Sequence, residues 1–161
     1  MATIRVVAES SLAPDVILSA AHDFSERRAE IFPAVELEHF EVHELGDTTA
    51  DVTEGTKTGP FGTNWERCRY DWSQAGVVKA PVTDSNVYEP AGSSWEITAA
   101  PSDGGSRVEM VWTREFQHGA RGRIFGTLFR LVGKPIFNRY GRDVLTNLSS
   151  AEGKAPDAPS R

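Results

Sequence analysis

Glu54, Glu66 and Tyr70 are the side chains of this sequence best suited to moving a proton or gripping a ligand's oxygen. Each shares an alternating face with apolar neighbours: Ala50 and Val52 accompany Glu54, and Cys68 and Trp72 accompany Glu66 and Tyr70. A carboxyl group on an inward strand face loses its hydration, so its pKa rises and it becomes a candidate acid or base. Near a strand end the same residue is a solvated glutamate, and a slip of one residue in register exchanges the two faces. Tyr70 can donate its hydroxyl to a ligand oxygen or, equally, to backbone.

Other chemistries find little support. His22, His39, His43 and His118 show no metal-binding spacing with cysteine or with clustered carboxylates, so no metal and no cofactor is expected. His39 and His43 alternate with Phe40 and Val42, which places the two histidines on the outer face of a strand and Phe40 and Val42 on its inner face. The serine pairs at 10–11, 93–94 and 149–150 lack a nucleophile elbow. Gly55 to Thr63, GTKTGPFGT, lacks the Gly-Lys-Ser/Thr ending of a phosphate-binding loop, and its glycines suit a flexible rim instead. Cys68, the only cysteine, allows no intramolecular disulfide and reads as a small core residue. With no apolar run resembling a signal peptide or a membrane span, it points to the cytoplasm.

At 161 residues the chain suits one domain, predicted over residues 1–150, with a disordered tail over 151–161. A net charge of -6 argues against nucleic acid as a partner. The distribution is uneven, however: from Gln117 to Arg142 there are six basic residues and no acidic one. Within that stretch Arg123, Arg130 and Lys134 lie opposite an apolar helical stripe. They suit either transient docking on an anionic membrane or a solvated face balanced by the acidic sheet.

The elements that must position these groups follow from periodicity. Thr3 to Glu9 alternates as a strand, Ala13-Pro14-Asp15 opens a helix with Val16, Ile17, Ala20, Ala21 and Phe24 on one face, and Glu26 to Ile31 forms a second short helix before Pro33. Six further strands are predicted over 37–45, 48–55, 64–73, 77–88, 93–100 and 107–116, joined by turn residues. Pro81 predicts a bulge or an edge position in the fifth strand of the chain. After Gly122 the period becomes helical, and Gly133-Lys134-Pro135 predicts a kink or short interruption.

This order of elements resembles the START-like (SRPBCC) superfamily, the helix-grip fold of polyketide cyclase/dehydrase-like proteins, over almost the whole chain. Two stretches carry the likeness locally: HDFSERRAEIFP, at the close of the short helices, and EGTKTGPFGTNWERCRYDW, the central hairpin. The resemblance implies an α+β fold with a curved seven-stranded antiparallel sheet around a long C-terminal helix, and a cavity between them for an apolar or amphipathic molecule. Alternation then assigns Val52, Tyr70, Trp72, Trp95, Ile97, Met110 and Trp112 to the inward face, with Phe129, Val132 and Ile136 closing from the helix. These residues either line a ligand cavity or fill an ordinary core. Two functions fit: binding or transport of a hydrophobic small molecule (a lipid, polyketide or isoprenoid-like compound), or a cyclase/dehydratase-type reaction using one acid–base group among Glu54, Glu66 and Tyr70. A monomer and a homodimer fit equally.

Overall fold

The computed structural model describes residues 1–154. Strand β1 (Ala2–Ser10) leads into two short helices, α1 (Pro14–Ala21) and α2 (Arg27–Ile31). Six strands follow: β2 (Glu41–Leu45), β3 (Thr49–Lys57), β4 (Thr63–Asp71), β5 (Val77–Ser85), β6 (Ser94–Ser102) and β7 (Gly105–Arg114). The last helix, α3, spans Ala120–Gly153. The seven strands form one sheet in the order β1-β7-β6-β5-β4-β3-β2, every neighbouring pair antiparallel. The result is the α+β helix-grip fold expected from the order of elements.

Alternation decides the core. Along β7 the residues Val108, Met110 and Trp112 are buried, and along β6 so are Trp95, Ile97 and Ala99. On β4, Cys68 and Tyr70 are buried, with Cys68 held between Val52 of β3 and Val82 of β5. Burial pushes the Cys68 thiol well above its ordinary pKa, the charged form being the one that loses hydration. Helix α3 packs closely on β1 because two of its facing residues lack side chains. A Cβ at Gly133 would sit 2.6 Å from Ile4 Cδ1, and one at Gly141 would sit 3.1 Å from Val6 Cγ1.

Three expectations need correction. The second strand starts at Glu41, because Leu37–His39 form a 3-10 turn that lays the His39 Cβ against Gly55, where no side chain blocks it. Phe40 consequently packs only at the margin of the core, and Val42 is exposed on β2, one of the two edge strands. Second, α3 runs through Pro135 without interruption. Pro135 and Leu131 lie on its exposed side, so the carbonyl that loses its amide partner can be hydrated, and the usual reason for a break is removed. Third, Ala151 to Gly153 belong to the helix instead of a tail, with Glu152 paired to Arg27 at the foot of α2; residues 155–161 of the expected tail lie outside the described residues. Around Pro81, β5 is irregular as expected: its pairing with β6 stops at Pro81–Ser94, and Thr83 enters as an extra residue between Val82 and Asp84. Among the described residues no helix is long and apolar enough to cross a membrane.

Candidate ligand cavity

Between the sheet and the first two-thirds of α3 lies a cavity of about 530 Å³, within the ~300–1,000 Å³ usual for small-molecule sites. Trp95, Ile97, Met110 and Trp112 line it from the sheet, and Phe129, Val132 and Ile136 from the helix. Val52, Tyr70 and Trp72 do not. Val52 and Tyr70 are fully buried beneath it, and Trp72 stacks on His22 with ring centroids 4.6 Å apart. The division has a physical cause. Phe24, just after α1, packs edge-on to Tyr70 and against Trp72, so inward positions at that end of the sheet meet core, whereas the first half of α3 leaves space.

The β3–β4 hairpin forms the rim. Its tip is a 3-10 turn, Gly59–Phe61, and Phe61 meets Phe125 of α3 edge to face at 5.7 Å. Arg121 ties the helix start to the hairpin through Thr63 O at 2.8 Å and Asn64 Oδ1 at 2.7 Å. Beyond the rim Leu131 is 75% exposed, and Ile124, Leu128 and Ile136 are also open to solvent. Thr58 and Asn64 on the hairpin and Leu128 and Val132 on the helix are cavity-lining, which makes this the mouth.

Two ion pairs reach the cavity from below. Glu54 and Glu66 face each other across β3 and β4, and neither is the solvated strand-end residue that the sequence left open. Glu54 pairs with the Nε of Arg28 and accepts a hydrogen bond from the Tyr70 hydroxyl at 2.9 Å. Arg28 also donates to Ala21 O at 3.0 Å and Tyr70 Oη at 3.0 Å, while Trp95 Nε1 donates to the same oxygen at 3.2 Å. The rings of Phe24, Phe32 and Tyr70 surround this guanidinium at 4.9, 4.6 and 5.2 Å. Burial is the largest influence on the Arg28 pKa and works to lower it, but Glu54 and Tyr70 together outweigh it and the group is held above its ordinary value. With its hydroxyl engaged on three sides, Tyr70 has its pKa driven well up by burial and is a structural strut.

The second pair is less complete. Arg114, from β7, donates to Glu66 Oε1 at 3.0 Å and to Ser94 O at 2.8 Å, and lies 4.6 Å from the Tyr88 ring centroid. Glu66 Oε2 and Arg114 Nε are buried without a hydrogen-bond partner. Burial raises the Glu66 pKa; Arg114 opposes the shift and Glu54 adds to it. Facing these groups from α3, Tyr140 lines the cavity, and its hydroxyl makes no hydrogen bond among the described residues. Burial and Glu54 raise its pKa, so the hydroxyl stays protonated.

Arg28, Arg114 and Tyr140 are among the site residues that the sequence reading missed, as are Tyr88, Phe116 and Phe137. Arg28 stands in a run of charges, Ser25 to Glu30, that reads as a solvated helix; its spacing of four from Phe24 and three from Ile31 was the available signal. Extending the inward series Val108, Met110, Trp112 by one step reaches Arg114. Glu36, Glu38 and His39 also gather their potential ligand atoms within 4.8 Å, a grouping their spacing did not suggest. Glu38 is already paired with Lys57, and Glu36 accepts from the Lys57 amide at 3.1 Å.

No protein-family model and no curated protein matches the chain. Solved structures do. Protein TTHA0849 of Thermus thermophilus superposes with a TM-score of 0.75 at 12% identity, covering 93% of this chain and 99% of its own. The Zhui aromatase/cyclase of a Streptomyces species gives 0.72 at 15% identity, covering 99% of both chains. A START superfamily protein from Mycobacterium smegmatis gives 0.59 at 10% identity over 93% of each. At these identities the likeness establishes the fold, which is START-like, and carries no activity with it.

Proposed function

We propose that the protein binds a hydrophobic small molecule of lipid, polyketide or isoprenoid-like kind in the cavity between sheet and helix. The observation that carries this reading is the cavity itself: about 530 Å³ lined chiefly by aromatic and aliphatic side chains, with its charges paired at one end. Native mass spectrometry of freshly purified protein, followed by organic extraction, tests it. A stoichiometric apolar passenger is the expected result. An empty cavity, together with no thermal shift across a broad panel of apolar compounds, would overturn it.

One observation favours a second reading, an acid–base enzyme of the cyclase or dehydratase kind. Glu66 keeps an oxygen without a partner beside the cavity, and its raised pKa suits proton transfer. In that reading Glu66 is the acid–base group, while Glu54 and Tyr70 hold the site in shape. An activity that survived Glu66→Gln unchanged would exclude this assignment. The mouth also supports a proposal about access: exposed Leu131 neighbours Arg130, and with Arg123 and Lys134 it suits an anionic bilayer from which an apolar ligand could be drawn. Salt-sensitive co-sedimentation with phosphatidylglycerol vesicles is expected, and indifference to those vesicles would remove the idea.

A further inference from the structure

The charged end of the cavity constrains the chemistry of the ligand beyond its being apolar. Two guanidiniums and two carboxylates meet there, Arg28 with Glu54 and Arg114 with Glu66. The hydrogens of both guanidiniums are largely committed. Arg28 bonds Glu54, Ala21 O and Tyr70, and Arg114 bonds Glu66 and Ser94 O, its remaining Nε being shut away from solvent. An entering carboxylate would therefore give up its hydration beside two like charges and find no free cation to replace it. A neutral hydroxyl or carbonyl gives up far less. It would also find a donor, since Tyr140 lines the same space with a hydroxyl no other described group uses.

We infer that the cavity selects an apolar compound carrying a neutral oxygen function, a hydroxyl or carbonyl hydrogen-bonded by Tyr140, and rejects the matching carboxylate. The inference rests on the binding reading above and narrows it to a ligand class. The raised pKa of Tyr140 supports the assignment, since the hydroxyl remains a donor throughout the neutral range.

Three probes with one carbon skeleton test it by isothermal titration calorimetry near neutral pH: naphthol, naphthoate and methylnaphthalene. Naphthol is expected to bind at least about tenfold more tightly than naphthoate. Tyr140→Phe should weaken naphthol about three- to tenfold and leave methylnaphthalene unchanged, a split that a merely structural effect would not produce. Glu66→Gln frees Arg114 from its counter-charge and should raise naphthoate affinity toward that of naphthol. Naphthoate binding as tightly as naphthol to the unmodified protein would overturn the selectivity, and equal weakening of all three probes by Tyr140→Phe would overturn the role of Tyr140. Failure of every probe to bind would instead overturn the cavity reading, and this inference with it.

Discussion

Arg28 is 1% exposed, and an arginine in such a place persists only if each of its hydrogens and its charge are answered. Glu54→Ala removes the charge partner and leaves the guanidinium among Phe24, Phe32 and Tyr70; a loss of about 3–5 kcal/mol is expected in urea unfolding. Replacing both partners by apolar residues, Arg28→Met with Glu54→Leu, is expected to cost much less, because no buried charge is then stranded. Glu66 gives a dependence on pH of opposite sense to the usual carboxylate. Its pKa is raised on folding, so the folded state binds the extra proton and stability falls as pH climbs from the ordinary value of 4.5 through the folded value. Against Glu66→Gln measured in parallel, the unmodified protein should gain ground as the solution is acidified toward 4.5 and lose it above. At this scale the sequence was half legible. Inward alternation located both glutamates, but nothing in a run such as SERRAE distinguishes the one arginine that turns into the core from its solvated neighbours.

Among the elements, α3 tests how backbone chemistry is outweighed by packing. Pro135 sits inside it on the exposed side, where it forfeits one ladder hydrogen bond. Pro135→Ala should restore that bond and raise stability by up to about 3 kcal/mol, read as a higher unfolding midpoint. The opposite holds at Gly122, whose added Cβ would collide with the Gln117 carbonyl. Gly122→Ala should destabilise despite a gain of about 1 kcal/mol in helix propensity. Seven strands and three helices could be read from period alone because the buried and solvated faces of this sheet differ in polarity. Where that contrast fades the boundaries slipped. Leu37 to His39 carry strand-like alternation, yet the turn there is decided by the open space over Gly55, a tertiary fact. In the last turns of α3, Glu152 meets Arg27, 125 residues away in the chain, a pairing that local periodicity does not announce.

The whole molecule couples cavity and stability, because a ligand that binds only the folded chain stabilises it. At 100 times its dissociation constant a ligand should add about 2.7 kcal/mol, which places the cavity compound and the core on one energetic footing. Cys68 offers a way to watch this. It is the lone thiol, 2% exposed at the middle of the sheet and flanked by neighbouring strands on both sides. A maleimide in solution cannot reach it while β3, β4 and β5 stay paired, so alkylation acts as a clock that advances only during openings of the central sheet. Where those openings also empty the cavity, a ligand at 100 times its dissociation constant should slow the clock about a hundredfold. An unaltered labelling rate would mean that the strands part without the ligand leaving.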